Sequence, residues 1–281
     1  MEDIIISQNI QDTINTFKKQ GVDKLHVLAD FDQTLTKSFI NGKYVPSIIS
    51  ILRDNNYLTP DYPDKAKALY VKYHPIEIDP NVLIKDKKSA MENWWTEHFN
   101  LLIKSGLSQE DIRSIVDSGI LLPREGAKDF FGFCHQSKIP IVIITSSGIG
   151  GDTIRFFLQK QGFFYNNIYI ISNNLIWDEK GRVIGFEKPI IHSMNKDEIL
   201  IKEFPVFGKI KTRKNVLLLG NSLGDPNMIK GFEYDNLLKV GFLNEIEDES
   251  LEKFKQLYDI VISNNGTMSY VNNFLVSISK N

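Results

Sequence analysis

The chain has 281 residues, of which 42% are hydrophobic and 24% charged, and its formal net charge is −2 at pH 7. That composition excludes a disordered polymer, and the near-neutral balance supplies no broad positive field for a nucleic acid polymer. Cys134 is the single cysteine, which rules out an intrachain disulfide, and no stretch reaches the ~20 apolar residues that span a bilayer.

In chain order, residues 1–18 contain no apolar run followed by a small-residue cleavage site, so a cytoplasmic location is expected. Residues 1–23 are expected to form a helix packed on the core. The apolar run 25–29 is followed by similar runs at 139–145, 168–171, 216–219, 238–242 and 260–263, each ending in polar or glycine residues. Such continuous runs mark strands buried on both faces. Helical patterns at 152–160, 196–203, 247–258 and 269–279 follow several of them. The alternation predicts an α/β fold, a Rossmann-like doubly wound parallel sheet.

From residue 39 to residue 122 the strand signals fade and polar helical stretches with interleaved aromatics take over. This segment is expected to be an inserted α-helical cap domain, with 1–38 and 123–281 forming the catalytic core. Inside it Ser108, with Asp111 three residues on, has the form of a helix N-cap. Residues 175–177 and 183–186 predict a hairpin turned at Asp178-Glu179-Lys180-Gly181.

The first apolar run leads directly into Asp30-Phe31-Asp32-Gln33-Thr34. Two carboxylates at the carboxyl end of a buried strand stand where α/β sheets bind ligands. In an extended segment residues two apart point the same way, so Asp30 and Asp32 are expected to address one substrate and one cation. The second run ends in Thr145-Ser146-Ser147-Gly148-Ile149-Gly150-Gly151, where hydroxyls and backbone N–H groups at a helix start suit a phosphate. Lys196, after His192-Ser193-Met194-Asn195, is expected to open a helix, a position where its charge calls for an anionic partner. The run 216–219 leads into Gly220-Asn221-Ser222-Leu223-Gly224-Asp225.

Taken in order, these motifs resemble the haloacid dehalogenase superfamily of phosphatases. The stretch Tyr73-His74-Pro75-Ile76-Glu77-Ile78-Asp79-Pro80, residues 91–97, Ser146-Ser147-Gly148-Ile149-Gly150 and residues 219–225 are similar to the pyrimidine 5′-nucleotidase (cytosolic 5′-nucleotidase III) family. The resemblance implies Asp30 as nucleophile, Asp32 as general acid and base, Lys196 as the lysine neutralising the phosphoryl charge, and Ser146 and Ser147 as phosphate ligands. It implies Mg2+ held by Asp30, Asp32, Asn221 and Asp225, with Asn221 standing where the superfamily has Asp. In the cap, it implies base recognition at Asn93, where the family has Glu, with Trp94 and Trp95 available to stack on a base. Ser118 is a further phosphate-contacting hydroxyl by the same resemblance.

The function implied is magnesium-dependent hydrolysis of a small nucleoside 5′-monophosphate, pyrimidine or 7-methylguanosine, through an aspartyl-phosphate, with phosphate transfer to another nucleoside as a second reaction. Two other readings stay open on the sequence: a phosphatase of a different small ester, and a catalytically weak nucleotide-binding relative prompted by Asn221.

Overall fold

The structure is a computed structural model and describes residues 3–7, 10–146, 149–196, 198–230, 232–245 and 248–279. The strands in chain order are β1 (Ile4–Ile6), β2 (Leu25–Ala29), β3 (Phe39–Ile40), β4 (Lys43–Tyr44), β5 (Ile141–Ile144), β6 (Ile168–Ile171), β7 (Leu175–Trp177), β8 (Val183–Phe186), β9 (Asn215–Gly220), β10 (Asn236–Leu243) and β11 (Ile260–Ser263). The α-helices are α1 (Gln11–Gln20), α2 (Ile48–Asp54), α3 (Tyr62–Ile78), α4 (Ile84–Lys104), α5 (Gln109–Asp117), α6 (Ala127–Gln136), α7 (Gly151–Lys160), α8 (Phe207–Ile210), α9 (Asp248–Leu257) and α10 (Ser269–Ile278).

Seven strands form one sheet in the order β1-β11-β10-β9-β2-β5-β6. Every pairing in it is parallel except that of β1 with β11. Every residue of β2, β5 and β9 is buried, as expected for central strands covered on both faces. One face packs on α1, α6, α7 and α10 through Phe17, Phe130, Phe157 and Leu275. The other carries α8, α9 and 3₁₀ turns through Ile201, Ile210, Met228 and Phe254. The order of connections reverses between β2 and β9: the chain passes from β2 outward to β5 and β6, then crosses to β9 and continues to β11. A crevice at the carboxyl ends of strands forms at such a reversal.

The chain leaves this sheet after β2 and rejoins it at β5. Thr36 and Pro123 form an antiparallel bridge, and Lys37 N–H donates to the Leu122 carbonyl at 3.0 Å, so the outgoing and returning segments lie side by side. Between them, α2, α3 and α4 form a helical lobe preceded by the β3–β4 hairpin. Helix α5 lies instead against α7 of the core, burying Ile112, Ile115 and Val116. Its start is a capping box in which Ser108 Oγ accepts from Asp111 N and the Asp111 carboxylate accepts from Ser108 N.

Two expectations are corrected. The N-terminal stretch is not helix alone, because β1 adds an antiparallel edge strand before α1. Nor does Lys196 open a helix. Residues 192–195 form a turn closed by His192 N–H on Asn195 Oδ1 at 2.7 Å and Asn195 N–H on the His192 carbonyl at 3.1 Å. Only a 3₁₀ turn, Glu198–Glu203, follows. The Asn195 side chain competes for the backbone donors that a helix start would require.

Candidate active site

Three adjacent parallel strands deliver the site. Asp30 follows β2, Ser146 follows β5 and Asn221 follows β9, so neighbouring strands separated by ~4.8 Å present these side chains at one sheet edge. Asp30 is 4% exposed and Asp225 is 1% exposed. Lys196 reaches across from the 192–196 turn, its Nζ 2.5 Å from Asp30 Oδ1 and 3.3 Å from Asp225 Oδ1. Burial opposes the charge on Lys196, but the two carboxylates outweigh it and hold the ammonium above its ordinary pKa. Asp225 turns its second oxygen to the backbone N–H groups of Asn221 and Ser222, both at 3.0 Å. Asp225, assigned from sequence as a metal ligand, thus has both oxygens engaged in orienting Lys196 and the 221–225 loop.

The chain does not continue extended after Asp30, as the sequence reading assumed. It turns over residues 31–35, with Leu35 N–H on the Phe31 carbonyl at 3.0 Å and Gln33 at a φ of 59°. The turn, not strand alternation, puts Asp32 beside Asp30. Burial, then the neighbouring Asp30 charge, pushes Asp32 up to about 7, and burial pushes Asp30 up to about 6 against the pull of Lys196. Buried Arg124 pins this turn. Its guanidinium donates to the carbonyls of Thr34 at 2.6 Å and Gln33, and to Asn244 Oδ1 at 3.0 Å.

Thr34 and Asn221 complete the shell. Turned to satisfy its neighbours, the Asn221 amide nitrogen donates to Thr34 Oγ1 at 3.1 Å, the Asp32 carbonyl at 3.2 Å and Asp30 Oδ2 at 3.2 Å. Three oxygens thus converge on one donor, and a half-turn of the amide would offer a further oxygen at the same place. This all-oxygen set has the chemistry of a magnesium site. The set consists of one carboxylate, an amide, a hydroxyl and a main-chain carbonyl.

Ser146 is half-buried between β5 and α7. At the start of α7, Gly151 leaves no room for a side chain, since a Cβ would come 2.5 Å from Ser172 Oγ. Ser147 lies outside the described residues.

A cavity of about 240 Å³ opens between α2, α3 and α4, walled by Tyr70, His74, Glu77, Trp94, Trp95 and His98 among others. The indoles of Trp94 and Trp95 lie nearly parallel, 11° apart with centroids at 6.0 Å. Glu77 also accepts from Ser193 Oγ at 2.5 Å, which ties the cavity to the turn carrying Lys196. Lys188 and Glu92 form an ion pair between core and cap.

Two further candidates from the sequence lie elsewhere. Asn93 is exposed and does not line this cavity, whose carboxylate is Glu77. Ser118 is exposed at the end of α5, its hydroxyl donating to the Ile115 carbonyl at 2.7 Å. Neighbouring Val116 accepts from Lys160 at the last residue of α7, the end away from Ser146.

The profile described as "Pyrimidine 5'-nucleotidase (UMPH-1)" matches residues 33–279. The chain belongs to the pyrimidine 5′-nucleotidase family. Relatives within reach of it are called 7-methylguanosine phosphate-specific 5'-nucleotidase. The one from Homo sapiens is 35% identical over 96% of this chain and 89% of its own length, and the one from Gallus gallus is 34% identical over 95% and 92%. A crystal structure of cytosolic 5'-nucleotidase IIIB bound to cytidine matches 99% of this chain and 94% of its own, with a TM-score of 0.89 and 27% identity. A substrate-bound phosphoserine phosphatase, at 18% identity and a TM-score of 0.53, shares the fold alone. As a family member the chain is a 5′-nucleotidase, a phosphoric monoester hydrolase of the haloacid dehalogenase fold.

Proposed function

We propose that this enzyme hydrolyses pyrimidine or 7-methylguanosine 5′-monophosphates to nucleoside and phosphate through an aspartyl-phosphate on Asp30. The observation that carries the reading is the buried contact of Asp30 with Lys196, whose turn is tied through Ser193 and Glu77 to a cap cavity walled by two indoles and a carboxylate. Asp30 attacks phosphorus, forming the Asp30 O–P bond as the bond from phosphorus to the nucleoside oxygen breaks. Asp32 gives its proton to that departing oxygen. Water then attacks the phosphoryl-aspartate while Asp32 takes the proton back, releasing phosphate and restoring Asp30. A pKa near neutrality suits Asp32 to both transfers. Lys196 compensates the charge spread over the phosphoryl oxygens, and Ser146 donates to them.

Asp30, the Asp32 carbonyl and Asn221 would hold Mg2+, with Asp225 supporting the set through the Asn221 N–H; when bound, the ion offsets phosphate charge. In the cap, the base stacks on indole, a contact worth ~1–3 kcal/mol. A 7-methylguanine base carries positive charge, which suits the faces of Trp94 and Trp95 and the nearby Glu77 carboxylate. The relatives' printed names support that substrate, and the printed name "Putative cytosolic 5'-nucleotidase 3" of a Caenorhabditis elegans relative supports a cytoplasmic location. Capture of the phosphoryl-aspartate by a second nucleoside instead of water gives phosphotransfer as a side reaction.

The test is magnesium-dependent phosphate release from UMP, CMP, AMP, GMP and 7-methyl-GMP. Selective release from CMP, UMP or 7-methyl-GMP, abolished in a folded Asp30→Asn variant, is the expected result. Turnover retained in that variant would refute the nucleophile, and release from sugar phosphates in preference to all nucleotides would refute the substrate class.

A further inference from the structure

We infer that Tyr258 is a positioning residue for the reaction, holding the loop that supplies Asn221 and Asp225 through its buried hydroxyl. The inference rests on the magnesium-dependent reading given above. Tyr258 is 2% exposed, and its hydroxyl donates to the Ser222 carbonyl at 2.6 Å. Ser222 lies between Asn221 and the rest of the 221–225 loop, and its N–H, with that of Asn221, is held by Asp225. The loop is therefore fixed from both sides, by a carboxylate on its amides and by a phenol on its carbonyl.

The sheet is shaped for this contact. Gly220 of β9 and Gly241 of β10 are register partners on adjacent strands. A Cβ at Gly241 would lie 2.6 Å from the Tyr258 ring, and one at Gly220 would lie 2.7 Å from its hydroxyl and 2.5 Å from Asp225 Cβ. Two neighbouring strands thus lack a side chain at the same level, leaving a floor on which the ring lies flat with its hydroxyl at the carboxyl end of β9. A phenylalanine would fill the floor equally well. A phenol buried here is costly unless paired, and among the described residues its hydroxyl is paired with the loop. The neighbouring aromatic, Phe254, stacks on Tyr258 with centroids 5.1 Å apart and has no polar atom with which to hydrogen-bond the loop.

The consequence is a division of labour that mutagenesis separates. Tyr258→Phe removes the hydroxyl and leaves the packing, whereas Phe254→Leu weakens the packing and leaves the hydroxyl. Losing one hydrogen bond of ordinary strength corresponds to about a threefold to tenfold change in an equilibrium constant. Direct Mg2+ titration by calorimetry of the full-length enzyme, with kcat/KM for the preferred nucleotide and Tm alongside, reads this out. Tyr258→Phe is expected to weaken Mg2+ binding and lower kcat/KM by about that factor. Phe254→Leu is expected to lower Tm while leaving both near wild type. Unchanged Mg2+ affinity in Tyr258→Phe would overturn the inference, as would an equal loss in Phe254→Leu, since the loop would then be responding to general destabilisation. A wild-type enzyme that neither binds Mg2+ nor releases phosphate would sink the underlying reading instead, a result distinct from either.

Discussion

Asn221 is the residue at which this chain departs most sharply from the superfamily pattern, and its surroundings define the consequence. It faces Asp30 Oδ2 and the Asp32 carbonyl at 3.2 Å, so the set has one fewer negative charge than an Asp would give it. A hard cation held there gains less Coulombic stabilisation, while Asp30 and the amide avoid the repulsion of two carboxylates at close range. Asn221→Asp is therefore expected to tighten Mg2+ binding by about tenfold, an estimate that takes a few kcal/mol of attraction at an effective dielectric of ~20 and deducts most of it for repulsion and desolvation. Calorimetric titration checks it, and an affinity unchanged or weakened would mean that Asn221 does not face the ion. Asp30 and Asn221 could be placed at the sheet edge from sequence because each stands directly after a buried strand. Arg124 could not be found in that way, because its importance comes from carbonyls of Gln33 and Thr34 that lie about ninety positions away in the chain.

The elements that carry the cap raise a different problem. Six core strands were legible because fully buried strands are continuous apolar runs, and the hairpin β7–β8 because a polar turn with Gly181 separates its arms. The edge strand β1 was missed although Ile4, Ile5 and Ile6 are all β-branched, since three residues give too little periodicity to separate from a helix start. In α4 the rotation of the helix decides function. Trp94, Trp95 and His98 share the cavity face, whereas Asn93 lies a further ~100° round the helix and reaches solvent. Glu77 comes from α3, and no pattern within one helix reveals which residue of another it will face. The Glu77–Ser193 hydrogen bond joins α3 to the turn bearing Lys196, so Ser193→Ala is expected to loosen the cap's attachment to the core. Its signature is a KM raised about threefold to tenfold with kcat changed less, because one hydrogen bond of ordinary strength is lost away from the reacting atoms. A fall in kcat with unchanged KM would instead mean that Ser193 acts on Lys196 alone.

Over the whole molecule, the cost of burying polar groups becomes visible in pH. His26 lies in β2 under the sheet and His98 lies in the cap, and burial pushes each down to about 4 from an ordinary 6.5. Both are acceptable neutral. The His26 Nδ1 donates to the Arg213 carbonyl at 2.8 Å, and His98 Nε2 is hydrogen-bonded to the Tyr62 hydroxyl at 3.3 Å. Because the folded pKa is the lower one, the unfolded chain binds more protons between pH 4 and 6.5. Their contribution is thus fully present above about pH 6.5 and is lost as pH falls toward 4, by roughly 2 kcal/mol per histidine between pH 7 and pH 5. The two sit in different lobes, yet the buried cluster runs without a break from Val27 and Phe31 in the core to Ile51 and Phe99 in the cap, so acid should weaken both lobes in one transition. His98→Gln keeps an acceptor for Tyr62 but does not titrate. Comparing urea unfolding of this variant and wild type at pH 7 and 5 cancels the other groups, and the variant is expected to lose about 2 kcal/mol less on acidification. An identical loss in both would mean that His98 is protonated within the fold, and two separate transitions would mean that cap and core do not share a cooperative core.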